Sequence, residues 1–323
     1  IMVAAGLTLL VIAGDGLIRG AVSLAQHLGV PSLIIGLTVV AFGTSAPELI
    51  VGVDGVLQGV PELTLGNVVG SNIANILLVV GLPAMILPMA CSAPGLTRNL
   101  SYMLGASLVT IAIGATGSFQ YMSGLFLLTL LAWFIYDSLT RARKSPALAT
   151  DALEDLEGLP VKPYNWSVTI ILIVVGLAGL ALGAHWLING AVEIARRLGV
   201  SESFIGLTLV ALGTSLPELA TAIIAAVKKH GDVAVGNIVG SNVFNILGII
   251  GVSSLFGRIP VPESFMSFDF WVMFGSSCLL LPYALRKGTI GRKFGFILVV
   301  AYFSYIIWIG YGATMMNAVG QSV

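Results

Sequence analysis

Charged side chains are scarce in this sequence. Asp, Glu, Lys and Arg make up 9% of the 323 residues, and 15 acidic side chains balance 15 basic ones. This charge content lies far below that of a soluble globular domain, and the lack of a basic excess argues against a nucleic-acid partner. Cysteine is also nearly absent: Cys91 and Cys278 are too few for a disulfide framework and do not indicate a redox compartment.

Apolar residues dominate instead. They account for 57% of the chain, and the mean hydropathy is +1.01, which is typical of a protein that crosses the membrane several times. A helix needs ~20 apolar residues to span a bilayer. Charged or turn-rich breaks divide the chain into ten predicted spans, at about residues 3–25, 32–58, 63–88, 99–117, 120–139, 166–195, 203–227, 233–256, 268–285 and 294–313.

The predicted fold is an all-α membrane protein of ten transmembrane helices, in two halves of five helices each. The halves cover residues 1–139 and 166–323, with a polar linker at 140–165. The acidic cluster of the linker lacks the ligand spacing and the glycine of a calcium-binding loop, so we expect a plain solvated linker. The first apolar run has neither a preceding basic region nor a small-residue cleavage site, so we expect it to remain as a helix.

Two blocks of sequence occur twice, 170 residues apart and without a gap. GLTVVAFGTSAPEL at 36–49 returns as GLTLVALGTSLPEL at 206–219, and GNVVGSNIANIL at 66–77 returns as GNIVGSNVFNIL at 236–247. Eleven of 14 positions are identical in the first block and nine of 12 in the second. The identities fall on Gly, Thr, Ser, Pro, Glu and Asn rather than on apolar residues, which predicts a paired functional site.

The distribution of Lys and Arg predicts the orientation in the membrane. If the 140–165 linker is cytoplasmic, ten spans place both termini outside, and 11 of the 15 basic residues lie on the inner side, as the positive-inside rule requires. Because each half has an odd number of spans, the second copy of the motif crosses the membrane in the opposite direction to the first. Inverted repeats of this kind surround the midplane substrate site of many secondary transporters.

Each GTSxPE block places a glutamate deep within a predicted span. Glu48 is the seventeenth residue of its span, and Glu218 holds the same place in the other half. A charge at this depth costs at least a few kcal/mol unless it is paired or solvated. Two such residues at equivalent positions favour one shared site over two separately buried, protonated carboxyls.

The proline before each glutamate predicts a break in the helix. Pro47 and Pro217 have no amide hydrogen, and their rings crowd the carbonyls of Gly43 and Gly213, so the helix must open there. Irregular backbone at membrane depth is tolerated only inside protein or beside a water-filled cavity. The breaks therefore predict exposed carbonyl oxygens next to both glutamates.

The side chains around the first glutamate are oxygen donors. Thr44 and Ser45 precede Glu48 by four and three residues, so we expect their hydroxyls on the helix face of that glutamate. An oxygen-only site suits hard cations, and Ca²⁺ takes about 6 to 8 oxygen ligands. Neither motif contains His or Cys, which disfavours transition metals.

The second block predicts the opposite wall of the site. Its polar residues recur every four positions on an otherwise apolar span: Asn67, Ser71 and Asn75, and in the second half Asn237, Ser241 and Asn245. We interpret Asn67 and Asn237 as interhelical hydrogen-bonding residues and the other four as site residues. Gly66 and Gly70 form a small-xxx-small pattern that predicts a close approach of another helix.

Together, GTSAPE with GNVVGSN and GTSLPE with GNIVGSN resemble the two alpha repeats of the calcium:cation antiporter superfamily, in particular the bacterial and archaeal sodium/calcium exchangers. The resemblance covers essentially the whole chain. It implies an antiporter of the prokaryotic inner membrane that exchanges Ca²⁺ for Na⁺ by alternating access and needs no cofactor. Spans 1 and 6 would slide across a core of the other eight. The expected partners are the transported inorganic cations and the lipid bilayer, and we expect a monomer.

The resemblance also implies which residues bind the ions. Glu48 and Glu218 would be the central calcium ligands, and the backbone carbonyls of Thr44 and Thr214 would complete that site. Eight residues would form the flanking sodium sites: Ala41, Ala211, Ser45, Ser215, Ser71, Ser241, Asn75 and Asn245.

Three features depart from the family pattern or are not covered by it. Several relatives carry Asp where this chain has Asn245, so two carboxylates stand alone at the centre with a nominal charge of about −2, and the stoichiometry and potassium dependence stay open. Asp54 lies six residues after Glu48, about 9 Å nearer the outside, and has either a cavity-mouth or a packing role. Asp15 and His185, at equivalent positions of spans 1 and 6, are predicted to be structural or to face water.

Three other functions stay open from the sequence. A proton/calcium antiporter would have the same fold, with Glu48 and Glu218 carrying the protons, although GTSxPE with GSN favours sodium over the GNATE-like and GSILGN-like motifs of proton-coupled relatives. An intramembrane aspartyl protease would pair Asp15 with Asp137 but leaves the duplicated glutamates unexplained. A passive channel needs weak, multi-site binding, which a closed carboxylate site does not provide.

Overall fold

The chain is helical almost throughout, as predicted. A computed structural model describes residues 2–29, 35–92, 95–144, 163–197, 213, 215–228 and 231–320. In the first half the elements are α1 Met2–Leu28, α2 Ala41–Thr44, α3 Ala46–Leu57, α4 Pro61–Ala74, α5 Gly81–Ile86, β1 Met89–Ala90, α6 Leu96–Gly114, β2 Ser118–Phe119 and α7 Tyr121–Lys144. Two π-helical segments, Gly36–Val40 and Asn75–Val80, lead into α2 and join α4 to α5.

The second half follows a similar order of elements, with two helices, α12 and α13, in the place of α6. These are α8 Trp166–Arg197, α9 Leu216–Val227, α10 Gly231–Val243, α11 Ile250–Phe256, β3 Ile259–Pro260, α12 Phe270–Cys278, α13 Leu281–Leu285, β4 Thr289–Ile290 and α14 Arg292–Gly320. Here the π-helical segments are Phe244–Ile249, between α10 and α11, and Phe265–Asp269, before α12.

Seven helices of the described residues are long and apolar enough to cross a membrane. The pair Thr38–Thr44 and Ala46–Leu57, bent by 47°, makes an eighth if it counts as one span. These eight coincide with predicted spans 1 to 3, 5, 6 and 8 to 10. Helix α6 lies at span 4 but is less apolar, and only the second part of span 7, α9, falls within the described residues. An integral, multi-pass membrane protein is therefore confirmed, whereas the number ten stays a prediction.

Burial distinguishes two central helices from the other long apolar helices of the described residues. The continuous helix Pro61–Ile86 is 78% buried over its most apolar window and Ala234–Phe256 is 89% buried, whereas the windows of the other five are 22% to 33% buried, with α1 at 33% and α8 at 29%. The central helices contain the second repeated block in each half. We call α1 and α8 the outer pair.

Glycines bring the two helices of the outer pair into close contact. A Cβ built on Gly6 would lie 2.6 Å from the backbone nitrogen of Leu187, and a Cβ built on Gly20 would lie 2.9 Å from the Ile173 side chain. At Gly176 the same construction meets Leu17. The partner numbers fall along α8 as they rise along α1, so these two repeat-equivalent helices run antiparallel.

Glycine contacts of the same kind connect the two halves of the chain. A Cβ on Gly295 would lie 2.6 Å from the carbonyl oxygen of Gly81, and a Cβ on Gly124 would lie 2.7 Å from that of Gly251. Gly81 and Gly251 are 170 residues apart, and their partners Gly295 and Gly124 are offset by 171, so the two contacts are repeat-equivalent to within one residue. The close approach predicted at Gly66 and Gly70 is not found among the described residues: none of their atoms lies within 4 Å of a Cβ built on Gly70, and only the edge of an aromatic ring reaches 4.0 Å from one built on Gly66.

Two short antiparallel ribbons mark opposite ends of the helix bundle. β1 pairs with β4 and β2 pairs with β3, so each ribbon joins the two halves. Gly231, at the start of α10, approaches Ala90 of β1, and Gly257, just before β3, approaches Val56 of α3. Helix α9 therefore ends near the β1–β4 ribbon and α3 ends near the β2–β3 ribbon. The continuous helix Pro61–Ile86 runs from one end to the other.

Candidate cation site

Both glutamate-bearing helices begin at a break with the same backbone geometry. Ser45 separates α2 from α3 with φ −85° and ψ 6°, and Ser215 precedes α9 with φ −86° and ψ 4°. Pro47 and Pro217 lie in the first turn of the new helix, where a missing amide hydrogen is tolerated. The predicted opening of the helix is confirmed before Glu48, although the Gly43 carbonyl still accepts a backbone N–H there. Before Glu218 most of the preceding residues lie outside the described ones, so that opening stays a prediction.

The two glutamates are buried and differ in their contacts. Glu48 is 1% exposed and Glu218 is fully buried, and the two carboxyl groups are close enough to interact electrostatically. Neither carboxyl oxygen of Glu48 has a hydrogen-bond partner. Glu218 accepts a hydrogen bond of 3.0 Å from the hydroxyl of Ser45, and only its other oxygen, Oε2, has none.

The position of Ser45 corrects one part of the sequence prediction. Its hydroxyl was expected on the helix face of Glu48, but it donates across the molecule to Glu218. The spacing argument fails because Ser45 is the residue at which the helix breaks, so regular helical geometry does not extend from Ser45 to Glu48. As a result the first half contributes directly to the carboxylate of the second.

Asn67 and Asn237 are interhelical hydrogen-bonding residues, as predicted. Asn67 Nδ2 donates to the backbone carbonyl of Glu48 at 3.3 Å. Asn237 Nδ2 donates to Thr221 Oγ1 at 3.0 Å, and its Oδ1 accepts from Thr44 Oγ1 at 3.3 Å. Asn67 therefore joins the second block of the first half to α3, and Asn237 joins that of the second half to α9 and to Thr44, the last residue of α2.

Thr221 was missed by the sequence analysis. Its hydroxyl donates to the backbone carbonyl of Pro217 or Glu218, both at 2.9 Å, and accepts from Asn237. No sequence signal points to it, because the equivalent residue of the first half is Val51. Thr221 restrains the backbone of the second glutamate, a contact that Val51 cannot make.

The second repeated block contributes buried amides and hydroxyls that bond across the two halves. Asn75 Nδ2 donates to Asn242 Oδ1 at 3.0 Å, and Asn245 Nδ2 donates to Ser71 Oγ at 3.1 Å. Among the described residues, no hydrogen-bond partner is found for the Oδ1 atoms of Asn75 and Asn245 or for the hydroxyl of Ser241. The second block therefore contains buried oxygen atoms that no donor of the described residues satisfies.

Both central helices contain a π-helical segment that begins within this block. The segment Asn75–Val80 begins at Asn75, and the segment Phe244–Ile249 includes Asn245 as its second residue. A π-helical turn inserts an extra residue and is frequent at functional sites. The hydrophobic pattern of these apolar segments gives no sign of it, so the sequence predicted only a regular helix here.

Within the described part of the chain, seven buried side-chain oxygens of the predicted site have no hydrogen-bond partner. They are Glu48 Oε1 and Oε2, Glu218 Oε2, Asn75 Oδ1, Asn245 Oδ1, Ser215 Oγ and Ser241 Oγ. A buried acceptor without a donor costs about 1 to 3 kcal/mol, and more when it is charged. A set of such atoms without opposing donors is the arrangement that a desolvated hard cation stabilises.

The remaining predicted residues are placed in part. Ala41 is buried, and its carbonyl oxygen accepts from the Ser45 amide at 3.0 Å and from Thr44 Oγ1 at 3.3 Å. Thr214 and Ala211 lie outside the described residues. Asp54 is exposed and accepts from Gln58 at 3.3 Å.

Asp15 and Asp137, the pair required for an aspartyl protease, have separate partners. Asp15 pairs with Arg19 and Lys228, whereas Asp137 pairs with Arg98 and Arg141.

The sequence profile of a family described as "Sodium/calcium exchanger protein" matches residues 1–140 and 168–311. The chain belongs to the sodium/calcium exchanger family. This family lies within the calcium:cation antiporter superfamily and consists of transporters, not of enzymes.

Individual relatives agree with this assignment over nearly the whole chain. The putative antiporter CaxA of Alkalimonas amylolytica is 37% identical over 94% of this chain and 96% of its own length. The sodium/calcium exchanger MaX1 of Methanosarcina acetivorans is 31% identical over 95% and 97%. The solved structure of the sodium-calcium exchanger NCX_Mj soaked with zero Na⁺ and Ca²⁺ has a TM-score of 0.81 at 32% identity and covers 95% of this chain and 97% of that one.

Proposed function

We propose that this protein exchanges Ca²⁺ for Na⁺ across the membrane by alternating access around one site built on Glu48 and Glu218. The observation that carries the proposal is the set of seven buried oxygens without donors. Two carboxylates supply the charge that offsets the dehydration of a divalent ion. Glu48 contributes two free oxygens and Glu218 contributes one, with the carbonyls of Thr44 and Thr214 as further calcium ligands.

Sodium would use the same wall with a different distribution of ligands. Ser45, Ser215, Ser71, Ser241, Asn75, Asn245 and the carbonyls of Ala41 and Ala211 supply neutral oxygens around the two carboxylates. Monovalent ions need less charge per ion, so they occupy positions next to each carboxylate rather than between both. Because Ca²⁺ and Na⁺ share the carboxylates, the site cannot hold both sets at once, and this competition produces exchange.

The outer pair is the element that would move. Like the other peripheral helices it is far less buried than the two central ones, and its own two repeat-equivalent helices contact each other closely through glycines. A pair that moves as one unit across a fixed core exposes the site first to one side and then to the other, as inverted-repeat transporters do. We assign the repeats to residues 1–139 and 166–323, joined by the 140–165 linker, with both termini outside.

Calcium uptake into proteoliposomes tests the proposal. An outward Na⁺ gradient should drive ⁴⁵Ca²⁺ uptake by the wild-type protein, and a pH gradient alone should not. Glu62→Gln is a matched control, since Glu62 is an exposed carboxylate at the start of α4 and should retain wild-type uptake. Uptake driven only by the pH gradient would instead identify a proton/calcium antiporter, and uptake that needs no counter-gradient would identify a channel.

Labelling of introduced cysteines tests the inverted arrangement. Ser145→Cys should react with membrane-impermeant thiol reagents only from the cytoplasmic side, and Glu202→Cys only from the other side; both positions lie outside the described residues. Burial raises the pKa of the native Cys91 thiol to about 11, which slows its reaction, but both native cysteines should still be replaced. Reaction of both positions from one face would contradict the arrangement.

A further inference from the structure

Asn242 has an identical counterpart, Asn72, in the first repeat, but the sequence analysis assigned no role to Asn242. We infer that Asn242 is a positioning residue that turns the Asn75 side chain so that its oxygen faces the cation. This inference rests on the proposed function for the identity of the ion. The geometry on which it depends is a chain of hydrogen bonds in which each orientation determines the next.

The chain starts at a backbone carbonyl. Asn242 Nδ2 donates to the carbonyl oxygen of Asn72 at 3.2 Å, and since a carbonyl can only accept, the amide of Asn242 must present its nitrogen there. Its Oδ1 therefore faces Asn75 and accepts from Asn75 Nδ2 at 3.0 Å. The Oδ1 of Asn75 is the atom that remains without a donor.

Asn245 is oriented by a different kind of partner. Ser71 Oγ donates to the carbonyl of Val68 at 3.1 Å, so its lone pairs accept from Asn245 Nδ2 at 3.1 Å, and Asn245 Oδ1 remains free. A hydroxyl can rotate its proton, whereas an amide cannot exchange its two ends without breaking both bonds. The Val68 carbonyl would keep its 2.6 Å hydrogen bond from Asn72 Nδ2 if Ser71 turned away.

The two partners predict opposite responses to an added carboxylate. In Asn245→Asp, the Ser71 hydroxyl turns and donates to the new carboxylate, so the variant retains a satisfied network. In Asn75→Asp, the carboxylate faces Asn242 Oδ1, and Asn242 can supply a donor only by breaking its bond to the Asn72 carbonyl. We expect the half-saturating Na⁺ concentration to rise by about tenfold in Asn75→Asp, since one lost buried hydrogen bond has about this effect.

A double-mutant cycle tests the role of Asn242. Asn75→Asp and Asn245→Asp are each made in wild-type and Asn242→Ala proteins, with Asn242→Ser as a milder second background that keeps a short donor. The measurements are the apo thermal unfolding temperature and the half-saturating Na⁺ concentration for ⁴⁵Ca²⁺ exchange. The changes in unfolding temperature and in half-saturating Na⁺ concentration that Asn75→Asp causes should be smaller in both Asn242 backgrounds. The changes caused by Asn245→Asp should stay the same.

The unfolding measurement keeps this inference separate from the proposed function. It needs no transported ion, so a coupling between residues 75 and 242 is detected even in a protein that does not exchange Na⁺ for Ca²⁺. Equal penalties for Asn75→Asp in all three backgrounds would overturn the positioning role. A wild-type protein without Na⁺-driven uptake would overturn the function and leave this coupling intact.

A second, independent observation concerns the outer pair. Asp15 on α1 accepts from Arg19 at 2.7 Å and pairs with Lys228, the C-cap residue directly after α9. This ion pair links the outer pair to the helix that carries Glu218, at the β1–β4 end. Ionisable residues within spans are expensive and usually functional, and the ligand set does not use this one.

The repeat-equivalent residues at the other end do not make this link. His185 and Gln58 correspond to Asp15 and Lys228 by the offset of 170. His185 Nε2 hydrogen bonds to Asn189 within α8 at 2.8 Å, and Gln58 donates to Asp54 of its own helix at 3.3 Å. An ion pair therefore connects the outer pair to the core at the β1–β4 end, whereas His185 and Gln58 at the β2–β3 end make no such contact with each other.

The geometry points to two contacts that are made in turn, Asp15 with Lys228 in one state and His185 with Gln58 in the other. The helices of the outer pair are joined to each other by the 2.7 Å hydrogen bond between Ser23 and Thr169, so they would leave one contact as they reach the other. This inference also rests on alternating access. The side chains of Asp15 and Lys228 are partly exposed and those of His185 and Gln58 are exposed, so crosslinking reagents can reach cysteines at these positions.

Crosslinking of paired cysteines tests this alternation in a background without Cys91 and Cys278. The pairs are Asp15→Cys with Lys228→Cys and His185→Cys with Gln58→Cys, joined by a short bifunctional thiol reagent. Their crosslinking yields should change in opposite directions when Na⁺, Ca²⁺ or no transported ion is present. A pair within α8, His185→Cys with Asn189→Cys, is the control and should show no ion dependence.

The outcomes are distinct from those that bear on the function. Yields of the two pairs that change in the same direction, or that do not change with ions, would overturn the alternation. This readout measures distance rather than transport, so it remains informative whatever ion drives calcium uptake. Loss of Na⁺-driven uptake in the wild-type protein would count against the function alone.

Discussion

The two halves of the molecule carry the same motif but form different contacts around it. Ser45 and Ser215 adopt the same backbone conformation at the helix break, yet Ser45 donates to Glu218 while Ser215 Oγ has no partner. Glu48 correspondingly has no donor, and Glu218 has one. The difference teaches that the repeat determines which oxygens reach the site, whereas the arrangement of the two halves determines which of them are free.

The largest expected effect comes from removing either carboxylate. Glu48→Gln and Glu218→Gln should each abolish calcium exchange, because the amide keeps the shape and removes the charge. Calcium affinity should fall by about 100-fold, since a contact with a charged group contributes about 1.5 to 3 kcal/mol. The loss should be greater for Glu48, both of whose oxygens are free.

Uptake of ⁴⁵Ca²⁺ and thermal unfolding of the same preparations measure this effect. A variant that unfolds at the wild-type temperature and does not exchange supports a direct ligand role, and Glu62→Gln serves as the folded, active control. Wild-type exchange by either glutamine variant would contradict a shared site. A larger loss for Glu218→Gln would reverse the proposed difference between the halves.

A smaller effect is expected where the chain departs from its relatives. Asn245→Asp should keep calcium binding and strengthen competition by Na⁺ several-fold, because it raises the local charge to about −3 and charge count sets cation affinity in oxygen sites. Initial rates of calcium uptake across Na⁺, K⁺ and pH titrations measure it. A lower rate with all three midpoints at wild-type values would remove Asn245 from the site.

The smallest expected effect compares Ser45 with Ser215. Ser45→Ala leaves a second oxygen of Glu218 without a donor and should lower the free energy of unfolding of the ion-free protein by about 1 to 3 kcal/mol. Ser215→Ala removes a hydroxyl that has no partner, so the ion-free protein should keep its stability. Denaturation of both variants in ion-free buffer measures the difference, and equal destabilisation would show that the two serines have equivalent contacts.

The sequence predicted the kinds of residues at the site better than their contacts. Identity at positions 170 residues apart pointed to Glu48, Glu218 and the polar face of the second block, and proline chemistry predicted the breaks at Ser45 and Ser215. These features are local. The cross-half hydrogen bond from Ser45 to Glu218 depends on how the two halves pack, which periodicity within one helix does not describe.

Glycine spacing was the least reliable signal. Gly66 and Gly70 match a pattern typical of helix pairs, but the close contacts occur at pairs such as Gly81 with Gly295 and Gly124 with Gly251, whose partners lie far apart in the sequence. Gly81 and Gly251 are equivalent by the repeat offset, but only the structure shows which residues they contact. Likewise the π-helical segments at Asn75 and Asn245 have no signature in an apolar sequence.

Equilibrium binding of ⁴⁵Ca²⁺ to the purified protein tests the central claim most directly. The account predicts that the wild-type protein binds one calcium ion per chain and that Na⁺ displaces this ion with a steep concentration dependence. Glu48→Gln and Glu218→Gln should each abolish calcium binding and therefore its displacement by Na⁺. Calcium binding that survives in both variants, or that Na⁺ does not displace, would contradict a single site shared by the two glutamates.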